Sequence, residues 1–382
     1  MENKVFDTIA SLEEEYFERW EQICNIESPT DFKRGVDAVG EYFVQFAAAR
    51  AWEVELHREE VSGNVVCITM NPQAPARPIT FSGHMDTVFP QGAFGYPPTR
   101  RDSDKIYGPG VKDCKGGILA ALLAMDALDR CGYRARPLQL LLQSDEENGS
   151  RASGKRTLRY ICEKAKDTVA FLNLEGQNPG KACLARKGIV TLAFKVSGVE
   201  AHAASCATLG ANAIVEASHK IIEMDALKDA DGITCSTGLI EGGTAVNTVP
   251  GVCAFQCNIR YATEEQFRYV MDYARRVCDT VHVPGCTCEL SVESQRVAME
   301  YKECNAALLD KINAILTSHG MEALCAQKRN GGSDAADATA YGLPTVDSIG
   351  VTGEHIHSTN EYANLASLAE AAKRLALAAL YL

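Results

Sequence analysis

The sequence predicts an α/β fold, a doubly wound and mostly parallel sheet, with a second, smaller β-α-β-β-α-β domain inserted into it. Three observations predict this. Four short, mostly continuous apolar runs, NVVCITM, PITFSGHMD, LQLLLQSDEE and TVAFLNLEG, have the pattern of strands buried on both faces of a helix-covered sheet. Between the second and third runs, GGILAALLAMDALDRCG reads as a helix, the crossover that joins two parallel strands. From about Gly188 the texture changes to alternating strands, each followed by a helical stretch.

Taken in order, the chain begins with MENKVFDTIASLEEEYFERWEQI, which sets Phe6, Ile9, Leu12, Tyr16, Trp20 and Ile23 along one helical face. It is acidic and lacks the basic start and apolar stretch of a signal peptide, so it reads as a surface helix of the mature protein. The crossover helix is entered through glycines and ended by Gly132. Its apolar stretch from Ile118 to Met125 is too short to span a bilayer and is followed by Asp126, so no membrane segment is expected. In the inserted region TLAFKVSG and CAFQCNIRY read as strands, and ANAIVEASHKIIEM and EEQFRYVMDYARRV as helices. From about Met299 a helix (NAALLDKINAILTSHG), a strand (PTVDSIG) and an alanine-rich helix complete the first domain. The expected division is a catalytic domain of 1–187 with 299–382 and an inserted domain of 188–298, since 382 residues exceed what one core usually holds.

A composition that is 46% hydrophobic and 23% charged suffices for a folded, enzyme-sized body. The net charge of -12, with no basic run, argues against nucleic acid and leaves small molecules or peptides as partners. Fifteen cysteines are an odd number and include no CxxC pair. With no secretory signal they read as reduced thiols in a cytoplasmic protein. Cys253 with Cys257, or Cys286 with Cys288, lack the second thiol pair of a zinc ribbon.

The chemistry collects at strand ends. His84 follows PITFSG, Glu146 and Glu147 follow LQLLLQS, and Glu175 follows TVAFLNL. In open α/β sheets the carboxyl ends of the strands form the ligand crevice, so an imidazole and three carboxylates are expected on one rim. Asp113, in the glycine-rich GPGVKDCKGG, and His357, in GEHIHSTNEYA, add a carboxylate and a second imidazole. Singly, each group has a structural reading: a solvated loop pair for Glu146 and Glu147, a helix cap for Asp113, a satisfied strand-end histidine for His84. Together, two imidazoles and several carboxylates suit zinc, and a carboxylate can bridge two ions while a position stays open for water. A two-metal hydrolase fits best.

Five motifs in order, SGHMDTV, GPGVKDCKGG, SDEENGS, SGVEAHA and HSTNEYA, resemble the zinc carboxypeptidases and deacylases that include glutamate carboxypeptidase, acetylornithine deacetylase, succinyl-diaminopimelate desuccinylase and aminoacylase. The resemblance covers nearly the whole chain and is strongest to the bacterial glutamate carboxypeptidase branch. It implies that His84 and Glu175 hold one zinc, Glu147 and His357 the other, and that Asp113 bridges them, with manganese or cobalt as substitutes. It implies further that Asp86 orients the His84 ring and that Glu146 is the general base on the water held by the metals. The peptide after the bridging residue, here Asp113–Cys114, is usually cis in that family, and Cys114 stands where Met is common. His355 falls outside the aligned motif and is not expected to be a ligand.

By the same resemblance the inserted domain is a lid and dimerisation domain, and His202 of SGVEAHA reaches the partner subunit's site in a homodimer to stabilise the oxyanion. Asn247 and Arg260 match positions that contact the substrate's terminal carboxylate, for which the planar fork of Arg is suited. Asn258 replaces an Asp common two residues before that Arg. Gly332 and Ser333 would line the same pocket, and Lys181 and Arg296 are candidate partners for an acidic substrate side chain. Family aminopeptidases tend to have Asp at the position of Glu175, so a carboxylate-anchored substrate is preferred, either a small peptide or an N-acyl amino acid. The alternatives are a di- or tripeptidase of the same clan and a non-catalytic binding protein on this scaffold.

Overall fold

The computed structural model describes residues 1–228 and 232–382. Two compact units share them: Met1–Ala185, Tyr301–Arg329 and Ser333–Leu382 form the first, Arg186–Glu300 and Asn330–Gly332 the second. The units differ from the expected division mainly in Asn330–Gly332, three residues of the C-terminal part that go with the second unit.

Six strands form the main sheet of the first unit, in the order Glu53–His57, Val65–Met70, Leu138–Gln143, Ile79–His84, Ala170–Asn173, Thr345–Val346. The last four run parallel. Val65–Met70 is antiparallel to both of its neighbours, so the sheet is mixed at one side. Every residue of Val65–Met70, Ile79–His84 and Leu138–Gln143 is buried, which is why these segments are apolar without alternation. Helix Lys115–Arg130 joins the second and third of these strands and is buried from Lys115 to Leu128, as a helix apolar on every side must be. It packs against the terminal helices Glu2–Cys24 and Ala366–Tyr381. Glu2–Cys24 buries Val5, Ile9, Leu12, Tyr16, Trp20 and Ile23, with Phe6 partly buried beside them. Each fully buried side chain of that size contributes about 1.5–3 kcal/mol to folding.

A small antiparallel sheet in the same unit has the order Gly353–Glu354, Tyr362–Asn364, Lys105–Tyr107, Arg100–Arg101. No helix among the described residues is long and apolar enough to cross a membrane. All fifteen cysteines are free and ten of them are buried, so most act as small apolar side chains.

The second unit is a four-stranded antiparallel sheet, Thr234–Gly242, Val252–Tyr261, Gly188–Ser197, Thr287–Arg296 in spatial order. Helices Ala213–Asp225 and Glu264–Asp279 complete the β-α-β-β-α-β sequence. Asn212 and Thr263 cap them, each side-chain oxygen accepting a first-turn amide hydrogen. Val190, Leu192, Phe194 and Val196 alternate into the core, the period-2 pattern of a sheet covered on one face.

Candidate metal centre

Three neighbouring parallel strands end at one rim. His84 is the last residue of its strand and is paired with Gln143, after which come Glu146 and Glu147. Ser82 is paired with Asn173, and Glu175 lies two residues beyond. Asp113 and His357 arrive from the small sheet, on the segments that follow Lys105–Tyr107 and Gly353–Glu354. Gly110 turns with φ +72°, a conformation glycine adopts without strain. At Gly117 a Cβ would sit 2.0 Å from Leu174 O, so glycine at the helix start lets the helix lie against the strand end that presents Glu175. The Asp113–Cys114 peptide is cis.

The polar atoms converge. His84 Nε2 lies 3.2 Å from Asp113 Oδ1 and 3.6 Å from Glu175 Oε1. His357 Nε2 lies 3.3 Å from Asp113 Oδ2 and 3.3 Å from Glu147 Oε2. Asp113 therefore turns one oxygen to each imidazole. Two ligand atoms on one tetrahedral zinc, each about 2.0–2.1 Å from it, stand roughly 3.3 Å apart, which is the spacing found here. Ligand atoms of His84, Asp113 and Glu147 all lie within 4.8 Å of one another, and so do those of His84, Glu146 and Glu175. Side chains of His84, Asp113, Glu147 and Glu175 are buried or nearly so, whereas that of His357 is 53% exposed and marks the open side.

Two acidic residues hold this arrangement. His84 Nδ1 lies 3.0 Å from the backbone oxygen of Asp86, which can only accept, so Nδ1 donates to it and Nε2 is the nitrogen turned to the cluster. The Asp86 carboxylate is farther from the ring, at 3.4 Å. Its shorter contacts go elsewhere: it accepts from Thr30 Oγ1 at 2.7 Å and from the amides of Glu146 and Glu147 at 3.1 Å each. Asp86 thus fixes the backbone that presents both glutamates, a task wider than orienting His84. Glu361, fully buried, accepts the amides of Gly110, Lys112 and Asp113 at 3.2, 2.9 and 3.0 Å. Trp20 of the N-terminal helix donates to Val111 O in the same turn at 3.1 Å.

Five carboxylates, Asp86, Asp113, Glu146, Glu147 and Glu175, crowd two imidazoles, and the cluster is short of positive charge. Burial and the charge of Asp113 push the Glu147 carboxyl up to about 7. Hydrogen bonds that its ring donates to Asp113 and Glu147 raise His357 to about 10 against the cost of its burial. Burial opposes the charged form of Asp113, yet His357 and His84 outweigh it and hold its pKa below the usual range. Divalent cations would supply the charge that protons supply here, and imidazole with carboxylate is a donor set that zinc accepts. The residues fit a metal.

A model described as peptidase family M20/M25/M40 matches residues 80–381. The chain belongs to this family. Membership makes it a metallohydrolase acting on peptide or acyl-amino-acid bonds. Carboxypeptidase G2 of a Pseudomonas species is 28% identical over 375 residues, 96% of this chain and 89% of that protein. A succinyl-diaminopimelate desuccinylase of Rhodospirillum centenum is 26% identical over 306 residues, 76% of this chain and 77% of that one. Among solved structures an aminopeptidase of Bacillus cereus superposes with a TM-score of 0.77 at 19% identity, covering 96% and 97% of the two chains. An M20 family metallo-carboxypeptidase of Sulfolobus solfataricus gives 0.68 at 16%, covering 95% and 98%. At such identities the two structures establish the M20/M25/M40 fold alone.

His202, Asn247, Arg260, Gly332 and Arg296 belong to the second unit. There His202 pairs with Thr248, and Asn247 O accepts from Ala203 N at 2.9 Å, so His202 and Asn247 are neighbours. Arg260 donates to Asn330 O, and Arg296 packs where a Cβ on Gly332 would be, 2.5 Å from its Cδ. Ser333 and Lys181 are in the first unit. The Ser333 hydroxyl caps helix Asp334–Ala340 and accepts from Asn173 at 2.9 Å, and Lys181 is exposed. His355 faces the Tyr362 ring and stands outside the cluster. Sequence reasoning missed Glu361 and Thr30. Glu361 did lie within the motif HSTNEYA, four residues after His357, but nothing local distinguishes a buried turn anchor from a solvated loop carboxylate.

Proposed function

We propose that the protein is a two-zinc carboxypeptidase or N-acyl-amino-acid amidohydrolase that cleaves an amide bond next to a free carboxylate. The observation that carries the two-ion reading is Asp113, with one oxygen 3.2 Å from His84 and the other 3.3 Å from His357. A single carboxylate between two imidazole-carboxylate sets is the form a bridging ligand takes. His84 and Glu175 would hold one ion, Glu147 and His357 the other. When bound, the ions polarise the scissile carbonyl and make water acidic enough to lose a proton near neutral pH. Glu146 takes that proton and returns it to the leaving amine nitrogen.

The substrate's carboxylate would be read by Arg260, helped by Asn247, Gly332 and Ser333. Likeness to a carboxypeptidase and a desuccinylase, and Glu rather than Asp at 175, support this side of the reading. Likeness of fold to an aminopeptidase keeps the di- or tripeptidase as the second reading. His202 would act as an oxyanion donor in the partner's site of a homodimer. The free, mostly buried thiols suit a reducing cytoplasm.

Because Glu146 also lies within ligand distance of His84 and Glu175, the test must separate a base from a ligand. Glu146→Gln should retain two equivalents of zinc and lose at least about a hundredfold in turnover of N-acyl amino acids. Loss of one zinc would make Glu146 a ligand. Turnover of peptides but not of their N-acylated forms would favour the second reading.

A further inference from the structure

A cavity of about 390 Å³ opens in the first unit beside the His357 segment. Its floor is a row of the small sheet: Arg100 is paired with Tyr107, and Tyr107 with Tyr362, so all three project from one face. Lys105, two residues before Tyr107, shares that face. The two tyrosine rings tile with centroids 5.9 Å apart. Each carries a cation, the Arg100 guanidinium 3.6 Å above Tyr107 and the Lys105 ammonium 3.9 Å above Tyr362. Phe94 and His355 close the sides.

The charge balance is one-sided. Arg100 and Lys105 line the cavity, and no carboxylate among the described residues does. Of the nearest acids, Asp102 is occupied by the amides of Asp104 and Lys105 and by the Tyr107 hydroxyl. Glu354, paired with Tyr362 on the outer strand, projects from the same face and lies 3.9 Å from His355 Nε2, but is outside the lining. A cation laid on an aromatic face keeps its outward hydrogens for an anion, and the rings offer a surface for a flat or extended group. The cavity shares its strands with the metal centre. Tyr107 leads into the turn that ends at Asp113, Tyr362 follows Glu361, and His355 is two residues from His357, the cluster's half-exposed member.

We infer that this cavity is the subsite for the acyl side of the substrate and selects acyl groups that end in a carboxylate. The inference rests on the amidohydrolase reading, in which Arg260 takes the carboxylate of the amine side and leaves the other side of the bond to a second anion site. A dicarboxylic or carboxy-aromatic acyl group is the class it takes, the body on the tyrosines and the terminal charge between Arg100 and Lys105.

The experiment has a binding arm and a turnover arm. Calorimetry of the full chain should detect 4-carbamoylbenzoate and not its neutral diamide, and Arg100→Gln with Lys105→Gln should weaken that binding roughly tenfold or more. In turnover, the zinc-loaded protein should prefer succinyl and 4-carboxybenzoyl over acetyl and benzoyl derivatives of one amino acid. The double variant should lower that preference, as a ratio of kcat/KM, by a similar factor. Equal binding of acid and diamide, or a ratio unchanged in a folded double variant, would overturn the assignment. Charge-selective binding without hydrolysis of any derivative would instead sink the amidohydrolase reading and the substrate role with it.

Discussion

A carboxylate that accepts three amide hydrogens cannot become an amide without setting one donor against another. Glu361 is in that position, with Oε1 taking Lys112 and Asp113 and Oε2 taking Gly110. Burial and the neighbouring Asp113 push its pKa up to about 8, against the pull of those three amides. Glu361→Gln should loosen the turn and with it the aim of Asp113. Zinc affinity, read by competition with a chelator, should fall by roughly ten- to a hundredfold, the usual worth of a group that orients a ligand. Unchanged affinity in the folded variant would make Glu361 a structural group only. The residues gathered at the rim were legible in the sequence, because a strand end is a topological address and His84, Glu146, Glu147 and Glu175 each follow an apolar run. Glu361 was not, since its burial is created by a turn some 250 positions away. Asp86 was legible as a partner of His84, yet its grip on the Glu146 and Glu147 amides follows only from strands that lie side by side.

Asp126 shows the same dependence between elements. It sits on helix Lys115–Arg130 and accepts Tyr16 of the N-terminal helix at 3.0 Å. Arg50, just past helix Lys33–Ala48, grips both of its oxygens at 2.8 and 2.9 Å, and Arg130 does so at 3.0 and 3.2 Å. Burial alone would raise its pKa, but Arg50 and Arg130 outweigh burial and hold it below the ordinary value. A depressed folded pKa contributes stability that is complete above the unfolded value of about 3.9 and is lost as the pH falls through the folded one. Asp126→Asn should therefore cost about 3 kcal/mol at neutral pH, and less once the pH is well below about 4. Urea unfolding of both proteins at pH 7 and near pH 3 checks this, and a difference that does not shrink in acid would exclude the ionic account. In the sequence Asp126 served only to end an apolar stretch. Elements with a continuous apolar run or a 3.6-residue period were legible. The edge strand Glu53–His57, with two glutamates and a histidine, has neither signal and exists because Val65–Met70 offers it a partner.

For the whole molecule, the change of texture near Gly188 announced a second unit, while the return of Asn330–Gly332 to it could not be read from composition. That unit leaves the strand Thr234–Gly242 as an open edge of its sheet, with Leu239 and Ile240 65% and 57% exposed. Apolar side chains on an open edge favour pairing with a second copy, which supports the proposed homodimer. If His202 serves the partner's site, two inactive variants should rescue one another. His202→Ala lacks the donor and Glu146→Ala lacks the base. In each mixed dimer one site combines an intact Glu146 with an intact His202 from the other chain, while its companion lacks both. With random pairing about half the dimers are mixed, so activity should return to roughly a quarter of wild type. The imidazole need not coordinate anything for this, since a hydrogen bond to the developing oxyanion is worth about 10²–10³ in turnover by itself. If His202 serves only its own chain, every site stays defective whatever the mixture. Subunit exchange shown by differently tagged chains, with no return of activity, would therefore exclude action across the dimer.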